Sequence, residues 1–167
     1  MKYLPVLLGI SLLLVFCVVS PAAGFQAKTL TIAISDNGDA QVDFTYQLNW
    51  LEQAAVFSRM VDPGEQLRKA IADNFHATVM VNTVSNDETN LEIDSFAAVK
   101  KTPAGVTYTT PQLSFKNAEN VVRQYWFAPL ISPDFSPDTT RVIFPDGYTQ
   151  EYSDEIALPV IAHTVVS

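Results

Sequence analysis

Two runs of strict alternation, joined by "DNGD", constrain this chain more than any other stretch. In "KTLTIAIS" (28–35) Leu30, Ile32 and Ile34 fall on one side, and in "AQVDFTYQL" (40–48) Val42, Phe44, Tyr46 and Leu48 do. Period two over this length specifies strands with one buried face, so the two runs make a hairpin. The side-chain faces then set its register. A two-residue Asn37-Gly38 loop would place Ile34 opposite Gln41, among polar residues. A three-residue loop, Asp36-Asn37-Gly38, pairs Ser35 with Asp39, Ile32 with Val42 and Leu30 with Phe44, which puts the apolar residues on one side. Gly38 then takes the left-handed position of a bulged turn.

The same residues look like the start of a calcium loop, but an EF-hand loop needs glycine at its sixth position and glutamate at its twelfth. Counted from Asp36, those positions are Gln41 and Gln47. "DNGD" therefore reads as a turn. "FPDGY" (144–148) follows the same rule, with Pro145-Asp146-Gly147 as the loop and Phe144 facing Tyr148.

Residues 1–24 have the pattern of a signal peptide. Lys2 precedes the apolar run from Leu4 to Val19, and Ala22 and Gly24 supply the small residues a signal peptidase accepts. As a helix that run would reach only about 24 Å, short of the ~30 Å hydrocarbon layer, so cleavage fits better than permanent spanning. An uncleaved N-terminal anchor is the alternative. Cys17, the only cysteine, lies inside this run after the bulky Phe16, which does not suit a lipobox. Residues 25–167 thus hold no thiol and no disulfide, and packing alone must stabilise them. Their length suits one globular extracytoplasmic domain. The chain's net charge of −8 becomes one unit more negative without Lys2. An acidic surface repels phosphate backbones and argues against nucleic acid as a partner.

After the first hairpin the periodicity changes. Trp50, Ala54, Phe57 and Val61 recur at helical spacing. "PGEQLRKAIADNF" (63–75) predicts a second helix, capped by Asp62, begun by Pro63 and striped by Leu67, Ala70, Ile71 and Phe75. "ATVMVNTV" (77–84) is a strand and "SNDETN" a polar turn. "LEIDSFAAVKK" (91–101) and "VTYTTPQLSF" (106–115) form a hairpin about "TPAG". "NAENVVRQYWF" (117–127) reads as a helix through Val121, Val122, Tyr125 and Trp126, or as a strand through Val121, Arg123, Tyr125 and Phe127. The proline-rich "APLISPDFSPDTT" makes turns, and "ALPVIAHTVV" is the last strand. The expected fold is α+β: an antiparallel or mixed sheet of about six or seven strands built from hairpins, with two or three helices packed on one face.

No catalytic motif emerges. There is no H-E-x-x-H and no G-x-S-x-G, and His76 and His163 lack neighbouring acids at metal-ligand spacing. Nothing in the sequence calls for a cofactor. Asp134, Asp138, Asp146, Asp154 and Glu155 are the candidate calcium ligands, against their ordinary role in turns. Tyr125, Trp126 and Phe135 are the candidate interaction patch, able to stack on a sugar or grip a partner, against a role in the core.

The opening "TLTIAISDNGDAQVDFTYQL", with "FPDGY" near the C-terminus, resembles small exported proteins of archaeal methanogens without assigned function. They share a signal segment and a T-x-x-I…G-D-A-x-V-x-x-T-Y pattern. The resemblance implies an exported domain and carries no catalytic residue. The sequence therefore points to an exported, non-enzymatic interaction or structural module. Its partner would be a protein or envelope component, and it would meet the membrane only through residues 4–19. A carboxylate-dependent hydrolase of envelope polymer and a calcium-stabilised subunit are the alternatives.

Overall fold

A computed structural model describes residues 24–48, 53, 78–116 and 134–166. Among these residues eleven strands run in chain order: β1 (Gln26–Ile34), β2 (Ala40–Gln47), β3 (Val79–Val84), β4 (Glu88–Ile93), β5 (Ala98–Thr102), β6 (Gly105–Thr109), β7 (Leu113–Ser114), β8 (Thr139–Ile143), β9 (Thr149–Tyr152), β10 (Ala157–Leu158) and β11 (Ala162–Val165). The main sheet has the order β3-β4-β2-β1-β8-β9, and every neighbour is antiparallel except β1 and β8, which run parallel. A three-stranded sheet β11-β6-β5 and a two-stranded pair β10-β7 complete it.

The first hairpin has the register its side chains demand. Ile32 pairs with Val42 and Leu30 with Phe44, the Ser35 amide donates to the Asp39 carbonyl at 2.8 Å, and Gly38 has φ +90°. The β8–β9 hairpin repeats this turn: the Phe144 amide donates to the Tyr148 carbonyl at 2.8 Å, and Gly147 has φ +83°. Between them β1 and β8 lie side by side, so both turns sit at the same end of the main sheet.

The α+β expectation is corrected. Among the described residues 58% are strand, no helical element is present, and helical backbone is confined to Gln53 and Lys116. Apart from Gln53, the segments 50–61, 63–75 and 117–127, where helices were expected, lie outside the described residues. What covers the main sheet's apolar face here is more sheet. Leu30, Ile32, Ile34, Val42, Leu91, Ile93, Val142 and Phe144 form one buried cluster with Phe96, Ala97, Tyr108, Leu113, Leu158 and Ile161 of the smaller sheets and their connections. Burying each large side chain contributes about 1.5–3 kcal/mol. The opposite face carries Thr31, Asp43, Asn90, Arg141 and Glu151, with an Asn90–Asp43 hydrogen bond and an Arg141–Glu151 ion pair at 2.6 Å.

Three stretches that alternate like single strands are each broken in two. "LEIDSFAAVKK" leaves the main sheet after Ile93. Ser95 takes φ +53°, its amide donates to Asp39 Oδ1 at 2.7 Å, and the Ala97 amide donates to the Gly38 carbonyl at 2.8 Å. Phe96 and Ala97 are both buried, which no flat strand with one buried face allows. "VTYTTPQLSF" breaks at Pro111 and "ALPVIAHTVV" at Pro159, because proline has no amide for the ladder. There Thr110 and Ile161 hold the chain through two hydrogen bonds of 2.9 and 3.0 Å. Strand count and sheet number therefore exceed the expectation, and the second layer is made from these breaks. No helix among the described residues is long and apolar enough to cross a membrane.

Candidate functional site

The two bulged turns meet the inner row of the three-stranded sheet, and this junction is the most organised polar site among the described residues. Val99, Tyr108 and His163 are directly paired across β5, β6 and β11, so they share a face. The first turn supplies the Asp36 carbonyl, which accepts the Tyr108 hydroxyl at 3.1 Å. Burial, and then the charges of Asp36 and Asp146, hold the Tyr108 phenol above its ordinary pKa, so it remains a neutral donor.

The second turn supplies the rest. Pro145-Asp146-Gly147 projects Asp146 so that its Oδ2 lies 2.7 Å from His163 Nε2, while its Oδ1 accepts the Tyr148 amide at 3.1 Å. The His163 hydrogen bond, followed by that amide, pulls the Asp146 carboxyl below its ordinary pKa. The imidazole lies flat on the Tyr148 ring, with centroids 4.3 Å apart and planes 8° apart, and Phe144 supports it from below at 4.9 Å. Phe144 is buried, whereas Tyr148 is 47% exposed. The result is an aromatic ring held by imidazole on one side and open to solvent, beside a fixed carboxylate. Asp146 and His163 make a hydrogen-bonded pair, but the carboxylate is committed to the ring nitrogen and a main-chain amide. The arrangement orients an aromatic surface.

A folded pKa below the unfolded one gives stability that is present above the unfolded value and lost as pH falls through the folded value. Wild-type stability should therefore decline below about pH 4, and Asp146→Asn should flatten that acid limb. Urea midpoints of the two proteins across that range test this, and parallel curves would contradict it.

Beyond the first turn, an open dish of about 580 Å³ lies between Asn37, the Ser95–Val99 segment, Thr109–Pro111 and Val160. Its described lining carries no ionisable side chain.

The residues singled out by sequence are dispersed. Phe135 is half-buried and stacks on Phe25 at 4.7 Å, which in turn meets Phe44 and Tyr46. Tyr125, Trp126 and His76 lie outside the described residues. Asp134 Oδ1 accepts the Ser136 amide at 2.9 Å, Asp138 pairs with Lys28 at 3.1 Å, and Asp154 has φ +55° with its amide on the Pro137 carbonyl. Glu155 is exposed next to it. Asp146 stands at the opposite end of the β8–β9 hairpin from Asp138 and Asp154. Among the described residues, no three His, Cys, Asp or Glu side chains gather where they could hold a metal ion.

Tyr148 and the Asp146–His163 pair were missed by sequence reasoning. A usable signal for Tyr148 was present, since "FPDGY" fixes its face and "YTQEY" returns an aromatic to that face at Tyr152. The His163 contact joins distant segments and leaves no local trace. Comparison with protein-family profiles, curated proteins and solved structures finds no match to this chain.

Proposed function

We propose that this chain is an exported, non-enzymatic binding module of the cell envelope, secreted or held at the membrane by residues 4–19. The observation that carries the reading is Tyr148, a large aromatic surface left 47% exposed yet fixed in orientation by His163 and Phe144. Ordering an aromatic contact before the partner arrives removes part of the entropic cost of association. Rigid tyrosines give large contact area with few rotatable bonds. The leader-like segment and the acidic, thiol-free domain support the extracytoplasmic setting.

The test is expression of the full chain in its own host, followed by cell fractionation, mass spectrometry of the N-terminus and sedimentation with isolated envelopes. The chain is expected outside the cytoplasm and in the envelope pellet, with Tyr148→Ala weakening retention about tenfold. Cytoplasmic residence would overturn the reading, as would a Tyr148→Ala chain retained like wild type.

A further inference from the structure

We infer that the face of β9 is a binding site for a linear, uncharged polysaccharide, an inference that rests on the binding-module reading above. Tyr148, immediately before this strand, and Gln150 and Tyr152 within it alternate and therefore point to one face. Gln150 pairs with Val142 and Tyr152 with Thr140, so this is the face that continues into the core. Because β9 is the last strand of the main sheet, the three residues stand at the margin of that face. Tyr148 is exposed and Gln150 and Tyr152 are half-buried. Tyr152 is packed against the core cluster, which fixes its ring as His163 fixes that of Tyr148.

The spacing selects an extended ligand. At the rise of a β-strand the two tyrosines are separated by about 13 Å, wider than a single sugar ring. A chain of pyranoses presents flat carbon–hydrogen faces to the two rings and hydroxyl groups to what lies between and beside them. The Gln150 amide, which already bonds the Tyr152 phenol, keeps further donor and acceptor capacity there. Charge selects an uncharged polymer. Asp146 remains ionised, Asp154 and Glu155 follow the strand, and the nearest cation on this hairpin, Arg141, is paired with Glu151 on the other face. A polyanion would meet uncompensated negative charge. An added peptide strand is the less suited occupant, because β9 has four residues and is closed by a turn at one end and by Asp154, at φ +55°, at the other.

The experiment is native affinity electrophoresis of the full chain through gels containing hydroxyethylcellulose, galactomannan or glycol chitin, with alginate as the polyanionic control. Retardation is expected in at least one uncharged gel and not in alginate. Tyr148→Ala and Gln150→Ala should each raise the apparent Kd, the former about tenfold, while Tyr148→Phe keeps the ring and most of the affinity. Equal urea midpoints for these variants and wild type separate lost binding from lost folding. Migration unchanged in all three uncharged gels, retardation by alginate alone, or a silent Tyr148→Ala would overturn the inference. If envelope sedimentation nevertheless persists and is abolished by protease treatment of the envelopes, the partner is a protein: the polysaccharide inference fails and the binding-module reading stands. If sedimentation is also absent, both fail.

Discussion

Gly38→Ala is expected to cost about 3–5 kcal/mol, whereas Gly147→Ala, in a turn of the same design, should cost about 1 kcal/mol. Both glycines have a left-handed backbone, at φ +90° and +83°, so the conformational strain of adding a side chain is nearly the same. Their surroundings differ. A Cβ on Gly38 would lie 2.5 Å from the Ala97 carbonyl oxygen and 2.7 Å from Val99 Cγ2, while one on Gly147 meets nothing within 4 Å. The Ala97 carbonyl cannot retreat cheaply, because its own amide is hydrogen-bonded to the Gly38 carbonyl. The substitution therefore pushes β5 away from the first turn and disturbs the contact between the two layers. A loss of several kcal/mol is a large part of a domain's stability, so this variant should be poorly folded at room temperature. Urea unfolding of both variants tests the comparison. Equal losses would mean that backbone strain alone governs these turns and that the close approach at Gly38 is tolerated.

Phe144→Ala is the second large effect, at about 3–5 kcal/mol. Phe144 is 2% exposed, directly follows β8, and touches both Tyr148 and His163 through ring contacts of 6.0 and 4.9 Å. Truncation leaves a cavity in the buried cluster and also removes the floor beneath the imidazole. Phe144→Leu should recover much of the stability while leaving the stack under-supported, which separates the two roles. Thermal melts report the first. Proton chemical shifts of the Tyr148 ring report the second, because a ring stacked 4.3 Å from an imidazole is strongly shifted. A Phe144→Leu protein with unchanged Tyr148 shifts would show that Asp146 alone holds the stack.

What the sequence makes legible is what a hairpin decides locally. The registers of "DNGD" and "FPDGY" follow from side-chain faces, and both are present as read. The second layer was not legible, because it depends on where strands stop. Leu91, Ile93 and Val99 alternate across Asp94–Ala97 as though nothing intervened, yet the amides of Ser95 and Ala97 are captured by Asp39 and Gly38, which are distant in sequence. Proline at 111 and 159 marked the other two breaks, and its weight was underestimated. The candidate site shows the same division. Tyr148 was placed on the correct face opposite Phe144, but its exposure depends on β9 being the outermost strand, and its rigidity depends on His163 arriving from β11. Both are properties of sheet order, which no local pattern encodes.

The parallel contact between β1 and β8 has a consequence for how the chain assembles as it emerges. β1 is an interior strand of the main sheet, with β2 on one side and β8 on the other, and Thr29 must wait for Thr139 to complete its neighbourhood. Closing so long a loop is entropically costly and delays sheets rich in distant pairings. Any N-terminal portion ending before Thr139 leaves one whole edge of β1 without its ladder. A nascent chain thus leaves the main sheet open beside β1 until Thr139–Ile143 are present, and the native sheet closes only then.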